Sequence, residues 1–329
     1  MLSRVLGHDG AKDRFARTIA AGRLASTYLL VGPAGIGKRL FAGELAAALV
    51  CERDGPTTLE PCGRCDACQL SSAGAHPDVL AVARPEGRSS LPLELFIGPP
   101  DKRHREGLCH DLSLRPMRAG RRIAIIDDAD DFGVETANAL LKTLEEPPPR
   151  SLILLVGTSL ARQLSTIRSR SQVVRFRPLA DEQVEAALSA LHGDLPPHEA
   201  QRLAQLAGGS VGRAAGLAEG DLVAACREVL SCLDSARTEP LRFAQTLEQQ
   251  SKAAGTEPRL RRRQLHELLG AVARRLHERL LESSTDTPTA DRLLEALDAV
   301  IDAEEALARN VNQSALVQRL AERLARCAA

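Results

Sequence analysis

Five short apolar runs of strand length punctuate the first half of the chain: Thr27–Val31, Val79–Val82, Ile123–Ile126, Leu152–Val156 and Val173–Phe176. Runs of Val, Ile and Leu without polar alternation suit strands covered on both faces, so they predict a parallel sheet clothed by helices. Helical spacing fills the intervals. Leu40, Phe41, Leu45, Ala48 and Leu49 share one stripe, and Val134, Ala137, Leu140, Leu141 and Leu144 another. Pro147-Pro148-Pro149 stops the second helix, because proline has no N–H to donate and clashes with the preceding turn. Beyond Pro178 the strand signal disappears. Short helices are predicted over Asp181–Leu191, His198–Ala207 and Ser210–Leu217. Longer ones follow, including Gln264–Leu281, Ala290–Ala308 and Ser314–Ala328, with a polar break at Ser283–Pro288. The pattern predicts an α/β domain over residues 1–178, a small helical domain over 179–220 and an all-helical domain over 221–329. Arg84–Arg105, rich in proline and in charges of both signs, reads as a surface excursion ahead of the third strand.

Charge narrows the function classes. The 329 residues carry 43 basic and 43 acidic side chains, and this zero balance excludes a protein that coats nucleic acid by bulk attraction. With 44% hydrophobic and 26% charged residues the chain is globular, not collagen-like, coiled-coil or disordered. No apolar stretch approaches the length of a membrane span, and the first residues lack the apolar core of a signal peptide, so a cytoplasmic location is expected. In that reducing compartment the eight cysteines predict metal ligands where they cluster and small core residues where they scatter.

Gly32-Pro33-Ala34-Gly35-Ile36-Gly37-Lys38-Arg39 follows the first strand and opens a helix. Glycines let backbone N–H groups turn toward phosphate oxygens, the helix N-terminus adds positive potential, and the lysine reaches the outer phosphates. These eight residues are the predicted nucleotide-binding loop. Where a hydrolase of this type places Ser or Thr on magnesium, this chain has Arg39, whose guanidinium has no acceptor atom. The partner acidic motif is Ile123–Asp130, with Asp127 on the metal side and Asp128 where a water-polarising Glu is usual. Asp128 is one methylene shorter, and catalysis is sensitive to displacements of about an ångström. Nucleotide binding is therefore expected with an impaired site for hydrolysis, and magnesium is doubtful there.

Cys51, Cys62, Cys65 and Cys68 form a third feature, C-x10-C-x2-C-x2-C, directly after the loop helix. Four thiolates so placed fit a tetrahedral structural zinc that helps fold a knuckle too small for its own core. Iron–sulfur ligation is the alternative. Cys109, Cys226, Cys232 and Cys327 have no such grouping. His8, His76 and His110 are isolated and are read as structural.

Together with Asn138-Ala-Leu-Leu-Lys-Thr-Leu-Glu-Glu-Pro-Pro148, Thr166-Ile-Arg-Ser-Arg-Ser171 and Gly208-Gly-Ser-Val-Gly-Arg213, these strings resemble the clamp-loader subunits of bacterial DNA polymerase III, which are AAA+ proteins. The resemblance covers residues 1–218 by motif and the remainder by helical pattern, including Arg309-Asn-Val-Asn312. Two stretches depart from it: Ser171 stands for the usual Cys, and Ser26-Thr27-Tyr28 for His-Ala-Tyr. It implies a P-loop AAA+ sheet domain with a zinc knuckle, a helical lid and a helical collar.

The resemblance also implies that Arg170 is an arginine finger acting in trans, Thr158 the first sensor and Arg213 the second. Arg39 and Asp128 set the chain apart from the gamma/tau ATPase and imply a ring member that lends its arginine to a neighbour's ATP site. The implied partners are the gamma/tau and delta subunits, and the sliding clamp and primed DNA through the assembled ring. ATP or ADP and structural Zn2+ are the implied cofactors. An active gamma-like ATPase and a zinc-bearing AAA-like adaptor outside replication stay open as alternatives. Lys142, Glu145 and Glu146 offer a polar helix face, either a subunit or DNA-proximal surface or simply a solvated one. Arg259–Arg263 and Arg274-Arg275 are candidate basic patches.

Overall fold

The computed structural model of the chain describes residues 2, 4–53, 55–85, 88, 90–218, 222–233, 239–253, 255, 257–283, 287–308 and 311–327. The expected boundary at 220/221, residues 284–286 of the polar break, residues 309–310 of the Asn-rich string and the helix end at 328 lie outside these, as does the side chain of Arg259.

All five expected strands form. They are β1 (Thr27–Val31), β2 (Val79–Val82), β3 (Arg122–Ile126), β4 (Ser151–Gly157) and β5 (Gln172–Arg175), paired in parallel in the order β2-β3-β4-β1-β5. Phe176, expected to end the last strand, lies just past it and packs edge-on against Phe41 and His8. Alternate strand residues serve opposite faces. Leu30, Ile125 and Leu154 meet Phe15, Phe41 and Leu45, whereas Leu29, Ile126 and Leu155 meet Phe96, Leu112 and Leu140. Each such fully buried side chain contributes about 1.5–3 kcal/mol, which is why unbroken apolar runs were needed here.

Three expectations change. Leu40 is 46% exposed, because it lies roughly 100° around the helix Lys38–Val50 from the buried Phe41. Val134 opens the helix Val134–Glu145 and is 72% exposed, whereas Ala137, Leu140 and Leu144 further along are buried. The Arg84–Arg105 segment is not a simple surface excursion. Leu91 bridges Phe132, and Phe96 and Ile97 on the turn Glu94–Ile97 enter the core. Its prolines set turns while its apolar residues are drawn under the sheet.

Two compact units divide the chain: residues up to Ala190 with Gly209–Gly212, and Leu191–Gly208 with the residues from Arg213 onward. The second unit is helical. Pro240–Ala253, Pro258–Glu282, Thr287–Ala308 and Gln313–Cys327 bury Phe243, Leu268, Val300 and Leu320 among themselves. Among the described residues no helix is long and apolar enough to cross a membrane. In the sheet, strand order reverses at β1, and the carboxyl ends of β1, β3 and β4 open on one crevice, the usual ligand position in such sheets.

Candidate nucleotide and metal sites

The loop leaving β1 turns through Gly35 and Gly37 at φ +73° and +98°, a region side chains with a Cβ rarely adopt. Five successive carbonyls of this loop accept hydrogen bonds from the chain itself. Lys38 Nζ donates to Gly32 O and Pro33 O, both at 2.6 Å, and Ser210 Oγ donates to Ala34 O at 3.0 Å. The Gly212 N–H donates to Gly35 O at 2.9 Å, and His8 Nε2–H to Ile36 O at 2.7 Å. With those carbonyls committed, the loop has its N–H groups left for a ligand, at the electropositive end of the helix Lys38–Val50. Burial lowers the pKa of Lys38, against the pull of Asp127 and Asp130. Burial likewise holds the His8 ring below its usual range, with Lys12 and Lys38 adding to the effect against the Ile36 bond and Asp9.

Facing the loop across a cavity of about 590 Å³ are the acids at the end of β3. Asp127 Oδ1 accepts the Asp128 N–H at 3.0 Å, and its Oδ2 lies 3.6 Å from Arg39 Nε. Burial holds the Asp127 carboxyl above its usual range, reinforced by the neighbouring Asp128 and opposed by Arg39 and Lys38. Asp128, at φ +52°, accepts the Arg84 N–H at 3.2 Å. Thr158, just past β4, donates both its N–H (2.6 Å) and its hydroxyl (2.5 Å) to Asp130 Oδ2, and Gln163 Nε2 holds Oδ1. Arg84 and Arg162 pair with Asp131 at 2.8 and 3.5 Å.

The loop residues, Asp127, Asp128 and Thr158 are thus brought together. Arg170 lies exposed between the turn Ser165–Arg168 and β5, and Arg213 belongs to the second unit, where it pairs with Glu267 at 2.8 Å. Sequence reading gave no role to His8, Ser210, Gly212 and Gln163. Small residues next to a double glycine were a usable signal for the second and third, but His8 and Gln163 had none.

A loop of this pattern ordinarily places a magnesium ion beside the phosphates, and the donors here do not fit it. Mg2+ requires near-octahedral oxygen ligands. Arg39 supplies none, and the four aspartates at the cavity are already engaged by the chain's own donors. A metal does fit elsewhere. The sulfurs of Cys51, Cys62, Cys65 and Cys68 all lie within 4.8 Å of one another, and a tetrahedral Zn–S₄ centre has sulfurs roughly 3.8 Å apart. This cluster could hold a metal ion. Burial pushes the Cys68 thiol up to about 12, so without a cation its thiolate is disfavoured.

The family model described as "DNA polymerase III, delta subunit" matches residues 7–180. The delta-prime subunit of Pseudomonas aeruginosa DNA polymerase III is 37% identical over 182 residues, 55% of this chain and 51% of that one. The tau subunit of Escherichia coli DNA polymerase III is 31% identical over 211 residues, 63% of this chain and 31% of that one. A crystal structure of a gamma subunit-related protein from Thermotoga maritima aligns with a TM-score of 0.45 and 17% identity, over 96% of this chain and 99% of that one. The chain spans about half the length of the delta-prime relative. The family match over 7–180 and the delta-prime identity agree, and the chain belongs to the delta-prime family of DNA polymerase III subunits.

Proposed function

We propose that this chain works as a delta-prime subunit in a clamp-loading ring with gamma/tau and delta subunits, lending Arg170 to a neighbour's ATP site while the ring places a sliding clamp on primed DNA. The observation that carries this reading is a contrast: Arg39 departs from the pattern and is ion-paired to Asp127 inside the chain's own site, while Arg170 keeps the family's finger position and stands exposed. A guanidinium cannot lose its proton and stabilises charge on a transferred phosphoryl group, so it serves equally well from a neighbouring subunit. In this reading residues 179–220 are the lid and 221–329 the collar through which the ring assembles. The loop Gly32–Lys38 holds nucleotide phosphates with little hydrolysis, with Thr158 and Arg213 in the sensor positions. The four cysteines hold structural zinc.

Reconstitution with cognate gamma/tau, delta, clamp and primed DNA is the test. Arg170→Ala should leave ring assembly intact and cut turnover at the dependent site by about 10³-fold or more. A ring that fails to assemble with wild-type chain, or turnover indifferent to Arg170→Ala, would sink the reading.

A further inference from the structure

Each acid at the cavity already has a cation or donor of the chain against it. Asp127 has Arg39 and the Asp128 N–H, and Asp128 has the Arg84 N–H. Asp130 has Thr158 and Gln163, and Asp131 has Arg84 and Arg162. A divalent ion entering between Asp127 and a phosphate would have to displace the Arg39 guanidinium, and would find no hydroxyl from that position to replace its lost water. The phosphate side is built regardless: the loop carbonyls from Gly32 to Ile36 are all committed, and Lys38 spends two of its three N–H donors on Gly32 O and Pro33 O, with one left over.

We infer that Arg39 takes the place of the divalent cation, so that the cavity binds a nucleoside di- or triphosphate without metal. Arg39 is the second residue of the helix Lys38–Val50, next to the loop, and its Nε faces Asp127. Among the described residues no acceptor holds its two terminal nitrogens, Nη1 lying beside Gly43, and a guanidinium fork suits paired phosphate oxygens better than a point charge does. Arg39 therefore joins the acidic strand end to the phosphates, as magnesium does in hydrolysing relatives of this fold. It cannot supply the exchangeable coordination that positions an attacking water. The same substitution gives binding without metal and retention without turnover.

This inference rests on the loop being a nucleotide site, and the test separates the two. ADP and ATP are titrated calorimetrically into the full chain in magnesium and in EDTA. The expected result is affinity equal within about twofold in the two buffers, whereas Arg39→Thr binds about tenfold more weakly in EDTA and recovers with magnesium. A wild-type affinity that falls tenfold or more in EDTA overturns the inference and leaves the nucleotide site standing. Binding untouched by Lys38→Ala, or no binding in either buffer, overturns the site itself and the inference with it. The wild-type comparison needs no variant to fold.

Discussion

Arg170 Nη2 donates to Glu145 Oε1 at 2.5 Å, joining the loop ahead of β5 to the last residue of the helix Val134–Glu145. The same guanidinium donates through Nη1 to Thr166 O and Ser169 Oγ, both at 3.1 Å. The side chain is thus held at the surface with its charge matched. In the proposed role, reaching a phosphate on another subunit requires giving up Glu145. An exposed pair of this kind contributes about 0–1 kcal/mol, so releasing it costs little.

Glu145→Ala should therefore leave the melting temperature of the isolated chain nearly unchanged and raise turnover at the neighbouring site by at most about fivefold. Steady-state ATPase of the reconstituted ring reads this. A tenfold fall would instead mark Glu145 as a residue that positions Arg170.

Thr158 is anchored to Asp130 through both its backbone N–H and its hydroxyl. Asp130 accepts three donors, two from Thr158 and one from Gln163, at the end of β4. Asp130→Ala orphans a backbone N–H and an amide and should cost about 2–3 kcal/mol, whereas Thr158→Val removes one hydroxyl bond and should cost about 1 kcal/mol. Urea unfolding of the first unit's transition measures both. Equal costs would show that Thr158 is held by something other than Asp130.

The strands were legible because burial on both faces leaves no choice of residue type: Leu29, Leu30, Ile125, Ile126, Leu154 and Leu155 are all essentially inaccessible, and their runs stand out. The loop and acidic motif were legible because they are contiguous. The contacts that complete the site were not, since His8, Ser210 and Gln163 reach Ile36, Ala34 and Asp130 across gaps of 28, 176 and 33 residues. Arg39 could be read as a missing hydroxyl, but not as an ion-pair partner of Asp127, because that depends on the register of β1 against β4 and of β4 against β3. Leu91 and Phe96 were missed because flanking prolines and charges masked two residues that the core takes up.

The cysteine cluster should bind about one zinc per chain, read by metal analysis of the purified protein. Cys65→Ser should abolish it. The knuckle is tied to the sheet domain through Arg118, which reaches Glu52 beside Cys51 at 3.1 Å and Asp66 beside Cys65 at 3.5 Å. Metal removal should therefore lower the melting temperature and leave the helical unit's content largely intact by circular dichroism. Visible absorption with iron in place of zinc would refute the zinc assignment.

Asp78 gives the clearest pH dependence. It is fully buried and accepts the N–H groups of Met117, Arg118 and Ala119 at 2.7, 2.7 and 2.8 Å, with Arg122 Nε at 3.7 Å. Burial opposes its ionisation, but the three backbone donors and Arg122 outweigh it and hold the carboxyl below the ordinary value of 3.8. His76 is the other titratable neighbour, and burial lowers its pKa despite Asp78. Because the folded-state pKa is depressed, the stabilisation is fully present above pH 3.8 and is lost as pH falls from there through the lower folded value. Asp78→Asn keeps one carbonyl oxygen but brings donors of its own against three N–H groups, and should cost about 3 kcal/mol near neutrality. The stability gap between wild type and Asp78→Asn should be constant from pH 7 to about pH 5 and should narrow below pH 4, as protonation removes the wild type's advantage. A gap that stays constant to pH 2 would mean that Asp78 is held by shape and not by its charge.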